Sequence, residues 1–141
     1  MLYKPHTSTK EKALGIEMKP HARIKFEKLS GRSVQLCRLF SDVEFLYLAA
    51  TPDGLVDEDS ILEIKCPYAA RDTKSPVEAV NNELLKYCNV INKNQISLKN
   101  EYKYWYQIMG QLQITGRKKC YYVIHTHHWM TIQEINYDDE F

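Results

Sequence analysis

Asp53, Glu63 and Lys65 are the residues whose types and spacing suggest chemistry. In an extended strand, side chains two apart share a face, so Glu63 and Lys65 project together while Leu62 and Ile64 point the other way. The acidic stretch Asp57-Glu58-Asp59-Ser60 reads as the turn of a hairpin. A turn centred on Glu58 and Asp59 sets Asp53 opposite Glu63, with Cβ atoms roughly 5 Å apart. Two carboxylates that close repel when both are ionised, and a hard divalent cation relieves the repulsion. The expected cofactor is therefore Mg2+ or Mn2+, held by Asp53, Glu63 and the carbonyl of Ile64, with several waters kept. Lys65 is placed to orient or deprotonate an attacking water, or to neutralise charge building on phosphoryl oxygens. Spacing alone also allows a plainer reading, an exposed acidic hairpin with Glu63 and Lys65 as a surface ion pair.

The elements that must position these residues can be read along the chain. Leu14, Met18, Ala22, Phe26 and Leu29 recur at helical spacing and predict an amphipathic helix, with Pro20 kinking it or lying in its first turn. Residues 33–40 and 45–51 have strand composition, and 55–56 and 61–65 form the arms of the hairpin. Ser75, Pro76 and Glu78 make a capped helix start, with the helix expected to run to about Tyr87. Residues 88–100 read as a polar loop. A second helix over 102–115 carries Trp105, Ile108, Met109 and Leu112 on one side and stops at Gly116; residues 120–126 follow as a strand. This order predicts an α/β fold, a central mixed sheet flanked by helices.

The 141 residues fit one domain, and a net charge of +1 leaves any nucleic-acid signal to local patches. The four cysteines form no CxxC pair, so no zinc ribbon is written here. No stretch approaches the roughly 18 apolar residues of a membrane span. A soluble intracellular protein, nuclear or cytoplasmic and without a membrane partner, is the expectation.

A wider set of motifs occurs in order: residues 15–23 (GIEMKPHAR), 51–56 (TPDGLV), 63–68 (EIKCPY), Arg71-Asp72, and Gln107, Gln111 and Thr115-Gly116-Arg117 at helical spacing. Together they resemble the YqaJ-like viral recombinase family, a branch of the PD-(D/E)xK nucleases. The resemblance implies a restriction-endonuclease-like core and metal-dependent hydrolysis of DNA, typically an exonuclease digesting duplex ends in recombination. It matches Asp53 and Glu63 to the metal-binding carboxylates, Ile64 to the carbonyl ligand, Lys65 to the catalytic lysine and Gln107 to a helix glutamine reaching the active site. Gln111, one turn on, has the lesser hydrogen-bonding role. A ring-shaped homotrimer and further helices ahead of the first motif also belong to the family pattern. The chain departs from that pattern at Lys19, where an acid is expected four positions after a glycine. The alternative function is accordingly a catalytically impaired DNA-binding module with the nuclease fold.

Charge is segregated along the chain. Residues 41–63 hold seven acids and no base, whereas 86–119 hold seven bases and one acid, the arrangement expected of an acidic metal site between backbone-gripping flanks. Arg71 and the run Arg117, Lys118 and Lys119 are the candidate phosphate contacts, against a plainer reading of the run as a solvated face. The histidines at 125, 127 and 128 lack an acid or cysteine at zinc spacing, and Tyr102, Tyr104 and Tyr106 are explained mostly by core and rim packing.

Overall fold

The protein is described from a computed structural model, over residues 9–36 and 51–140. The first helix, α1 (Thr9–Ser30), buries Met18, Ala22 and Phe26, which lie four residues apart on one face. Pro20 is inside the helix on its exposed side, where water can serve the Ile16 carbonyl that a proline, lacking an N–H, cannot bond. Leu29, expected on the buried stripe, is 64% exposed because the helix is ending there. Gly31, at φ +70°, donates its N–H to the carbonyl of Glu27, and the Ser30 hydroxyl donates to the carbonyl of Phe26. A glycine at this position takes the left-handed conformation without a Cβ clash.

A five-stranded sheet forms the centre, in the order β1 (Val34–Gln35), β2 (Gly54–Val56), β3 (Ser60–Lys65), β6 (Lys119–His125) and β7 (Met130–Asn136). The β3–β6 pair is parallel and the others are antiparallel, so the sheet is mixed as expected. The hairpin register sets Gly54 against Leu62 and Val56 against Ser60. Side-chain alternation divides the core into two layers. Val56, Leu62, Ile64, Tyr121 and Val123 pack under Ala22 and Phe26 of α1. Leu55, Ile61, Cys120, Tyr122 and Ile124 face α2 (Pro76–Asn81), α3 (Lys103–Thr115) and a separate hairpin, β4 (Cys88–Asn92) and β5 (Gln95–Leu98). A strand buried on both faces, as β3 is, admits a charged side chain only where partners wait for it.

Several expectations change. The helix starting at Ser75 has the expected cap, the serine hydroxyl accepting from the N–H of Glu78 at 3.1 Å, but it ends at Asn81 rather than Tyr87. Glu83 takes a φ of 61°, its N–H bonds the carbonyl of Val80 and that of Leu84 the carbonyl of Ala79, a Schellman closure that delivers Leu85 to the core. Residues 88–100 contain the β4–β5 hairpin rather than a loop, with Ile96 and Leu98 buried on one side of Ser97. The strand β7 was also not anticipated; of its apolar residues only Ile135 is buried, which leaves a weak alternation to read. Of the strands expected at 33–40 and 45–51, β1 accounts for two residues, while 37–50 lie outside the described residues.

Candidate active site

The charged cluster lies at the carboxyl ends of the parallel strands β3 and β6, the place where open sheets with helices on both faces commonly bind ligands. Continuing the hairpin register by one residue brings Asp53 opposite Glu63, as expected, close enough for Asp53 to raise the pKa of the Glu63 carboxyl. Asp53 Oδ2 accepts from the backbone N–H of Ile64 at 2.7 Å. In a strand, the N–H and C=O of one residue face the same neighbour, so the Ile64 carbonyl is directed to the same edge as Asp53, past the end of β2. Glu63 is only 4% exposed, which removes the surface-ion-pair reading.

The helix α3 closes the site from one side. Gln111 Nε2 donates to Glu63 Oε2 at 3.1 Å, and the Tyr104 ring lies 4.3 Å from Lys65 Nζ. Gln107 is half-buried between them on the same face of the helix. Of the two glutamines, it is therefore Gln111 that the structure brings to Glu63. From the other side α1 contributes Lys19, whose Nζ is 3.0 Å from Asp53 Oδ1. Arg71 follows β3 on a short 3-10 turn (Tyr68–Ala70); its guanidinium stacks 3.7 Å from the Tyr68 ring centre and donates to the Tyr68 carbonyl at 2.7 Å.

Burial, then the hydrogen bond and charge of Asp53, pushes the Glu63 carboxyl well above the usual carboxylate range, and the pull of Lys65 and Gln111 only partly offsets this. Burial likewise lowers the pKa of Lys65, with Glu63 and Asp53 opposing it and Lys19 and Lys103 reinforcing it. Burial works against the charge on Lys19, but the attraction and hydrogen bond of Asp53 prevail and its pKa is raised. A buried carboxylate pair of this kind is stable only with a shared proton or a nearby cation.

The donor set is two carboxylates and one directed carbonyl. No group of three or more His, Cys, Asp or Glu able to hold a metal occurs among the described residues. These donors fit a hard cation such as Mg2+ or Mn2+, which takes one or two carboxylates and keeps several waters, rather than a metal needing a full protein cage.

The expected phosphate contacts Arg117, Lys118 and Lys119 are not brought to this site. Lys119 pairs with Ser60, three residues and about 10 Å along β3 from Glu63. Arg117 Nη1 donates to the carbonyls of Asp57 at 3.0 Å and Ser60 at 2.9 Å, holding the hairpin turn closed. Lys119 Nζ pairs with Glu134 at 3.2 Å, and the N–H of Lys118 bonds the carbonyl of Asp59. The contribution of Tyr104 to Lys65 was not anticipated; its position one residue after Lys103 in an aromatic helix start gave no sign that it faces the strand lysine.

Comparison with known proteins gives a consistent result. The protein resembles the alkaline exonuclease LHK-Exo from Laribacter hongkongensis at 25% identity and a TM-score of 0.64, over 95% of this chain and 62% of that one. For the LHK-Exo complex with dAMP the identity is 25% and the TM-score 0.65, over 97% and 63% of the respective chains. The chain thus spans under two thirds of the length of these neighbours, which share its restriction-endonuclease-like fold. A comparison with curated proteins found no match. No described helix is long and apolar enough to cross a membrane. The model of the YqaJ-like viral recombinase domain matches residues 1–118, and the chain belongs to that family.

Proposed function

We propose that the protein is a divalent-metal-dependent DNA nuclease acting on duplex ends, with Asp53, Glu63 and the Ile64 carbonyl as the metal ligands. The observation that carries the reading is the buried Glu63 carboxyl against Asp53 with Lys65 alongside, at the open end of β3 and β6. The exonuclease neighbours, one of them bound to dAMP, support a DNA substrate. When bound, Mg2+ or Mn2+ supplies Lewis-acid polarisation of the phosphate and makes a water more acidic. Lys65, with its pKa lowered by burial, is better suited than an exposed lysine to accept a proton from an attacking water. Tyr104 restrains the Lys65 head, and Gln111 fixes which Glu63 oxygen faces α3. The Arg71 guanidinium, held flat on Tyr68, presents its remaining donors to phosphate.

The test is release of nucleotides from end-labelled duplex DNA with Mg2+. Asp53→Ala should abolish it and Lys65→Ala should slow it by about 10²- to 10⁴-fold. Digestion by both variants at the parent's rate would refute the assignment. The ion pair between Lys19 and Asp53 favours a second reading, a DNA-binding module that no longer cleaves. Salt-sensitive retention of DNA without turnover at any Mg2+ or Mn2+ concentration would select it.

A further inference from the structure

The position of Lys19 adds a property that the proposed metal site does not by itself require. Its ammonium is bonded to Asp53 Oδ1 at 3.0 Å, while Oδ2 is taken by the Ile64 N–H at 2.7 Å, so each oxygen of this carboxylate already has a donor. The neighbouring residue Met18 is buried, and Ala22 and Phe26 on the same face dock α1 on the sheet, so the lysine is held above the site. The side chain remains 44% exposed, whereas that of Asp53 is 17% exposed. Lys19 thus has a way out to water that Asp53 lacks.

We propose that Lys19 is a tethered counterion, occupying Asp53 in the metal-free protein and competing with the divalent ion for that carboxylate. The proposal rests on the metal-site reading above. Two cations cannot share a carboxylate at close range without repulsion, and an ammonium has donors but no acceptor with which to join a coordination shell. Metal loading therefore requires the lysine head to swing into solvent, which its flexible four-carbon stem permits. Until it does, Lys19 keeps the Asp53–Glu63 pair neutralised, so the fold does not depend on a metal. The apparent metal affinity is reduced by the fraction of molecules in which the ammonium is docked.

The test is Mn2+ binding to the full chain, followed by loss of the free-ion electron paramagnetic resonance signal. Lys19→Met and Lys19→Gln should each bind Mn2+ about three- to tenfold more tightly than the parent, as expected for loss of a half-exposed competing ion pair. Lys19→Glu, which adds an oxygen donor, should bind more tightly still. Glu63→Gln should remove the site in every background. A thermal readout gives a second check: without metal both neutral variants should melt below the parent, and Mg2+ should raise their Tm more than it raises the parent's. If Lys19→Met and Lys19→Gln fold and bind Mn2+ with the parent's affinity at a site that Glu63→Gln removes, the competition is wrong and the metal-site reading stands. If no variant shows binding that depends on Glu63, the metal-site reading fails and the competition falls with it.

Discussion

The two ends of β3 both bring acids and bases together, and they do so under opposite conditions. At the turn end, Arg32 pairs with Asp57, Lys119 with Glu134, and Arg117 bonds backbone carbonyls, with these ion pairs largely open to water. Water screens such contacts, so they shape a turn and little else. At the carboxyl end, Asp53, Glu63 and Lys65 are held between α1 and α3 where water is largely excluded. There burial raises the pKa of Glu63 and lowers that of Lys65, so that each charged form is disfavoured relative to an exposed carboxyl or amine. The same residue types stay ordinary surface ions at one end and have shifted pKa values at the other, and the difference is desolvation.

Glu63→Gln breaks the comparison most strongly. DNA digestion should fall by about 10³-fold or more, since a carboxylate ligand is lost. Stability should move the other way. A folded-state pKa raised above the unfolded value contributes stability that is complete below the unfolded pKa and is lost as pH rises through the folded one. An uncharged glutamine escapes that loss, so the metal-free variant should be more stable than the parent at alkaline pH and should lose the advantage in acid. Thermal melts across pH without metal check this, and a Tm below the parent's at every pH would show that Glu63 is stabilised as an anion.

Arg117→Ala attacks the other end. Losing the bonds to the carbonyls of Asp57 and Ser60 should cost about 1–2 kcal/mol, read as a Tm lower by several degrees, with Mn2+ affinity unchanged. A loss of DNA binding with the Tm intact would restore Arg117 to the phosphate-contact role that its sequence neighbourhood suggested. The smallest effect separates Arg71 from Lys118. Arg71→Ala should lower the slope of log affinity for DNA against log salt by about one, whereas Lys118→Ala, at the turn end, should leave it unchanged. Equal effects would mean that DNA lies along the whole length of β3.

What the sequence determined by itself is what neighbouring residues decide among themselves. The Ser75 cap, the stop at Gly116 with its φ of 69° and the face shared by Glu63 and Lys65 all follow from backbone preferences and spacings of a few residues. The register that brings Asp53 to Glu63 was legible too, because a short turn fixes it. The β4–β5 hairpin and β7 were hidden because one face of each is mostly exposed, so polar residues interrupt the pattern that marks a buried strand. The helix from Ser75 stopped early through the left-handed Glu83, a conformation for which glutamate carries no local signal. Only the tertiary structure decided which groups meet across the site: Lys19 with Asp53 across 34 residues of chain, Gln111 with Glu63 across 48, and Arg117 with Ser60 across 57. Those pairings depend on how α1 and α3 seat on the two faces of the sheet, and seating is set by the fit of Ala22 and Phe26 on one side and Ile108, Met109 and Leu112 on the other. Packing of that kind is a property of whole surfaces, and neither residue of a pair records it in its own neighbourhood.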